Sequence, residues 1–145
     1  MSEAVSNIPP RLQRIIEDFE LLEGREGLEV LLEYAEKLPP LPGWLQGRRD
    51  EMEPVPECMT PVHLFSELQE GRLVFYFDVP AESPTVRGFA ELLREGLEGC
   101  TPEQVLALPG DLYLRFGLEK LLTHQRLNGL AALLAHIRHQ ALEKI

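Results

Sequence analysis

A polar tetrapeptide, Gln69-Glu70-Gly71-Arg72, separates two apolar runs, Val62 to Leu68 and Leu73 to Val79. Nothing else in the chain limits the fold so tightly. Branched and aromatic residues on either side of a glycine-bearing turn read as a β-hairpin. The stretch Leu73-Val74-Phe75-Tyr76-Phe77 is apolar on both faces, which suits a central strand. Met52 to Pro56 carries two prolines and reads as a third strand, blunted at an edge.

Helices must then supply the cover. Pro9 and Pro10 suit the opening of one, and residues 1–8 read as a lead-in. Leu12, Ile15, Ile16, Phe19 and Leu22 repeat at helical spacing, with Arg11, Arg14, Glu17 and Asp18 opposite. After Gly24 or Gly27 a second stripe follows, Leu28, Leu31, Leu32, Ala35 and Leu38, stopped by Pro39-Pro40. Ser83-Pro84 opens a third helix with Val86, Phe89, Ala90, Leu93 and Leu97 inward, ending at Gly99. Thr101-Pro102-Glu103-Gln104 spells a capping box for a short helix. Thr123 caps the last one, whose apolar face is Leu127, Leu130, Ala131, Leu134, Ile137 and Ala141. The expected fold is α+β, a small antiparallel sheet of about three strands with helices packed on one face. Residues 1–145 make one domain of a size that buries its own core.

Between Pro39 and Pro61 the composition changes, and six of the twelve prolines fall there. Connections of this length are usually functional or disordered. Trp44 is expected to anchor the loop to the body; the other reading is an exposed contact for a partner.

The loop delivers the chain to Val55-Pro56-Glu57-Cys58-Met59-Thr60-Pro61-Val62-His63. Pro56 and Pro61 restrict the backbone on both sides of Cys58. A thiol kept for packing belongs in a periodic apolar segment. This one stands at a turn before a strand, where a thiolate can meet another protein. Cys100, between Gly99 and Thr101, reads as a junction thiol beside a helix start that would lower its pKa. His63 is near Cys58 in sequence, but no local pattern pairs a histidine with the thiol, and His124, His136 and His139 read as surface residues of the last helix. His136 and His139 stand three apart without a ligand set at zinc spacing, so no metal and no cofactor are expected. Acidic neighbours such as Glu95 and Glu98 read as solvated helix faces. Arg87 and Arg126 lie near helix starts, where a cation opposes the dipole, so each is held by a carboxylate, reserved for a partner, or an ordinary surface arginine.

Charge excludes several classes of function. With 24 acids against 14 bases the net charge is -10, which opposes nucleic-acid backbones and anionic membrane surfaces and favours a basic partner surface. Met1-Ser2-Glu3-Ala4-Val5 lacks the pattern of a secretory signal, and no apolar run reaches membrane-spanning length. Two cysteines are too few for a disulfide framework or a cluster scaffold, and a reducing cytoplasm is the expected compartment.

The cysteine-bearing turn is followed by Val86-Arg87-Gly88 opening a helix. Phe116-Gly117-Leu118 and then Leu122-Thr123, Arg126 and Asn128-Gly129-Leu130 complete the pattern. Together these resemble the SufE family of iron–sulfur metabolism, over nearly the whole chain. The resemblance implies that Cys58 accepts sulfane sulfur from a SufS-type cysteine desulfurase, stimulates that enzyme, and passes the sulfur toward a cluster-assembly scaffold. It implies no catalytic centre beyond that persulfide carrier. Glu57, His63 and Arg126 are the candidate partner contacts; Glu57 and His63 stand where the family commonly has glycine and tryptophan. Two other functions compete, a binding module that regulates a partner without its thiol and a self-contained thiol enzyme.

Overall fold

The hairpin forms between β2 (His63–Gln69) and β3 (Arg72–Asp78), in register from His63 opposite Asp78 to Gln69 opposite Arg72. Its loop is only Glu70-Gly71, and both residues take positive φ, 53° and 80°, the geometry that matches the twist of paired strands. A two-residue strand, β1 (Glu53–Pro54), pairs antiparallel with β2 on the other side. The computed structural model describes residues 7–145, so all but the end of the expected lead-in lies outside the described residues.

The sheet order is β1-β2-β3, so the central strand is β2 and not the more apolar β3. The second apolar face of β3 has a different cause. Trp44 folds back over the outer face and meets Tyr76 and Phe65 edge-on, with centroids 5.3 and 6.0 Å away. It anchors the loop as expected, yet stays 47% exposed. The inner face presents Leu64, Leu73, Phe75 and Phe77, all buried, to the helices.

Helix α3 (Pro84–Gly96) is the axis of the core, with Phe89, Ala90, Leu92 and Leu93 fully buried. Two other helices cross it at glycines. A Cβ on Gly88 would stand 2.1 Å from the Leu31 carbonyl oxygen of α2 (Glu26–Lys37), and one on Gly96 would stand 2.6 Å from the Leu12 side chain of α1 (Pro10–Glu20). That close approach narrows the stripe of α2: Leu31, Ala35 and Leu38 are buried, Leu28 is half-buried and Leu32 is exposed, contrary to the sequence pattern. Glu91 of α3 is buried against Arg94, 2.6 Å away, and the half-buried Glu95 is pushed up to about 7 by burial and by Glu91. These acids are therefore not all the solvated face that their spacing suggests.

The last helix, α5 (His124–Glu143), is capped by Thr123, whose hydroxyl accepts from the Arg126 amide at 3.2 Å. It buries Leu133 besides the expected Leu130, Leu134, Ile137 and Ala141, while Leu127 and Ala131 are only half-buried. The helix packs against α3, β2 and the short α4 (Pro102–Leu106), which needs a broader apolar face than one stripe. The Thr101–Gln104 capping box of α4 is complete. No helix among the described residues is long and apolar enough to cross a membrane.

Candidate functional site

Residues 55 to 62 leave β1 and return into β2, closed at the base by the Val55 amide donating to the Val62 carbonyl at 2.9 Å. The Cys58 amide donates to the Val55 carbonyl, which makes the turn that carries the thiol. Side chains tie the turn down on both flanks. Before the thiol, Glu57 Oε1 lies 3.1 Å from His136 Nε2 on α5. After it, the Thr60 hydroxyl meets the hydroxyl of Ser83. Ser83 holds the N-cap position of α3, as the sequence predicts, but its side chain serves this tie and not the cap.

Cys58 is half-buried, with Sγ 3.9 Å from the Gly129 carbonyl of α5. Burial, with the Glu57 carboxylate second, pushes its thiol above the ordinary range. A low-pKa or freely exposed thiol is thus not what the resting fold holds. Its neighbour Met59 is the exposed one, at 78%. Cys100 is buried, and burial raises its thiol too, opposed by Arg72; its carbonyl accepts from the Leu73 amide at 2.8 Å, which joins α4 to the sheet. The net shift is upward, opposite to the one its place beside a helix start suggests.

A cleft of about 400 Å³ opens at Cys58, bounded by Glu57, Thr60, Ser83, Thr85, Arg126 and Gly129 among others. Of the four residues singled out in the sequence, the fold brings Cys58, Glu57 and Arg126 to this cleft. His63 is not at its wall; it stands on β2, with Nδ1 buried and unpartnered among the described residues and its pKa lowered by burial and Arg49. The two arginines part company. Arg87 is a staple, donating to the Val79 carbonyl at 2.6 Å and to that of Leu38 at 3.5 Å. Arg126 is exposed, and its guanidinium has no acceptor among the described residues.

Behind Glu57 lies a network that sequence spacing does not reveal. Glu53 of β1 meets His136 Nδ1, accepts from Gln140 at 2.7 Å, and lies 3.0 Å from His139 Nδ1. Ser66 of β2 donates to Gln140 from behind. Burial would raise the Glu53 carboxyl, but the bonds from Gln140, His136 and His139 outweigh it and hold it low; His139 is raised by Glu53 in return. Glu53, His139 and Glu143 each place a ligand-type atom within 4.8 Å of the others. Those atoms already answer one another. His136 faces a carboxylate at each ring nitrogen, Glu53 at one and Glu57 at the other. The group therefore reads as a hydrogen-bonded network that fastens the cysteine turn to α5.

Known proteins resemble this chain in sequence and fold. Residues 13–141 match the SufE family, described as an Fe-S metabolism associated domain. The chain is 39% identical over 141 residues to an uncharacterized SufE-like protein of Mycobacterium tuberculosis, covering 97% of each. It is 26% identical to a protein of Plasmodium vivax named cysteine desulfuration protein SufE, over 85% of this chain and 49% of that one. A hypothetical protein of Thermus thermophilus, solved in solution, superposes with a TM-score of 0.81 at 43% identity, over 94% of this chain and 96% of the other.

Proposed function

This chain belongs to the SufE family and its role lies in sulfur-linked Fe-S metabolism; from that premise we propose that Cys58 is the acceptor of persulfide sulfur from a cysteine desulfurase. The observation that carries the reading is the contrast between the two thiols. Cys58 faces an open cleft on a turn, whereas Cys100 is sealed in the core.

The chemistry is that of thiol–disulfide exchange. The Cys58 thiolate attacks the outer sulfur of a persulfide on the donor enzyme, and the donor cysteine leaves as its thiolate. Cys58 then holds the sulfur until a downstream cluster-assembly scaffold takes it. At rest the thiol is kept protonated by burial and by Glu57, so it is quiet until a partner loosens the turn. Arg126, exposed at the cleft and without an acceptor among the described residues, is the contact we assign to a carboxylate of the desulfurase while the two proteins are docked. Glu57 contributes at the same rim, and His63 offers a contact beyond it. No imidazole bonds the Cys58 thiol among the described residues, which favours a carrier over a self-contained thiol enzyme. The setting is a reducing cytoplasm.

Incubation with cysteine and a cognate desulfurase, followed by intact mass measurement, tests the reading. A one-sulfur adduct that maps to Cys58 supports it. Stimulation of the desulfurase that survives Cys58→Ser in full would instead make the chain a thiol-independent regulator.

A further inference from the structure

The cleft beside Cys58 holds about 400 Å³. A single outer sulfur needs little of that, since one water takes only ~30 Å³ of liquid volume. The wall also carries donors that the fold leaves idle. Thr85 is 4% exposed and lines the cleft, yet its hydroxyl has no hydrogen-bond partner among the described residues. The amides of Thr85 and Val86 open the 13-residue α3 at the same wall and have no acceptor there either. Arg126 brings a guanidinium that no carboxylate meets among the described residues. A hydroxyl that reaches a cleft from an otherwise buried residue is a ready donor, and free amides at a helix start favour an anion. Planar guanidinium and carboxylate match in two bonds. On the rim stand two carboxylates, Glu82 and Glu57, the second already turned toward His136.

We propose that this cleft is a subsite for a small thiol bearing an α-amino-acid group, free cysteine being the simplest of the class. Its carboxylate lies against the Thr85 hydroxyl, the first amides of α3 and Arg126; its ammonium faces Glu82, and its sulfur faces Cys58. The proposal rests on the reading of Cys58 as a persulfide carrier and adds a small-molecule route for the sulfur. The ligand thiolate attacks the outer sulfur. A new S–S bond joins the two, the bond from the outer sulfur to Cys58 Sγ breaks, and Cys58 leaves as a thiolate that takes up the ligand's proton. Sulfane sulfur changes hands with no net oxidation and no added reductant.

Alkylation tests the subsite without any sulfur loading. Iodoacetate and iodoacetamide both lose iodide to the Cys58 thiolate and differ in one carboxylate. On a chain of net charge -10 the anionic reagent is the slower unless a local site draws it in. We expect iodoacetate to label Cys58 the faster of the two, with saturation, and L-serine to compete as an amino acid without a thiol. Thr85→Val should lower the iodoacetate-to-iodoacetamide ratio by about three- to tenfold, the worth of one hydrogen bond, and Thr85→Ser should restore it. Arg126→Ala, at an exposed position, should lower the ratio likewise. A wild-type ratio below that of a free thiol peptide, or a ratio unmoved by either variant, overturns the subsite. If the ratio behaves as expected but Cys58 takes no sulfur from a charged desulfurase, the carrier reading fails and the transfer step falls with it. L-Cysteine discharging the Cys58 persulfide no faster than cysteamine, which lacks the carboxylate, overturns the step alone.

Discussion

His136 Nε2 lies 3.1 Å from Oε1 of Glu57, the residue directly before Cys58. Through this contact the thiol-bearing turn is fastened to α5, and a carboxylate that opposes thiolate formation is held toward an imidazole. Glu57 is largely exposed, so solvent screens its effect on Cys58. Glu57→Gln removes a charge that raises the thiol, so the pH–rate profile of Cys58 alkylation should move to lower pH. At neutral pH the rate with iodoacetamide should rise about twofold. A profile that stays in place would remove Glu57 from the control of the thiol.

Cys58→Ser should abolish both the sulfur adduct and the stimulation of sulfide release by a cognate desulfurase. Cys100→Ser should retain most of both, at a stability cost of about 1 kcal/mol for a hydroxyl placed in a buried thiol's position. Activity assays beside denaturant titration separate the two variants. Equal loss of activity in folded forms of both contradicts the assignment.

Arg126→Ala should leave the fold intact, because the guanidinium has no partner within the described residues and the Thr123 cap reaches only its backbone amide. If the arginine pairs with a carboxylate across the interface, the half-saturating concentration for desulfurase stimulation should rise as expected for a loss of about 1–3 kcal/mol. Unchanged stimulation would place Arg126 outside the interface.

Gly88→Ala should destabilise the protein by about 2–4 kcal/mol, because the new Cβ meets the Leu31 backbone and α2 must move off α3. Denaturant midpoints read the effect directly. Gly43→Ala is the control, with nothing near its Cβ.

Glu53 has a lowered folded pKa, so its contribution to stability is complete above the ordinary carboxylate range and is lost as pH falls through the folded value. Glu53→Gln should remove that acid-sensitive part and flatten the acidic limb of the stability–pH curve. At neutral pH the same change should cost about 1–3 kcal/mol from the lost charge-assisted bonds. His139 has the opposite sign: its raised pKa supports the fold at low pH, and that support fades as pH rises through it. Its exposure makes the share small.

The local grammar of this chain was legible in its sequence. Turn, caps and helix starts depend on residues within a few positions of one another, so Gly71, Thr101 and Thr123 announce their roles directly. The isolation of Cys58 on a proline-flanked turn was equally plain, as was the family pattern around Arg126 and Gly129. Packing decided the remainder. Which strand is central depends on β1 adding to β2, and the apolar outer face of β3 is explained only by Trp44 arriving from a distant loop. Glu57 and His136 are 79 positions apart, and Glu53 and His136 are 83 apart. No periodicity joins residues at such separation; the crossing of α5 over the sheet does. The same holds for Thr85: in sequence it is an ordinary first-turn residue, and only the fold places its idle hydroxyl in the cleft beside Cys58. Backbone preference is settled among neighbours, whereas charge pairing and unspent donors are settled by which surfaces close on one another.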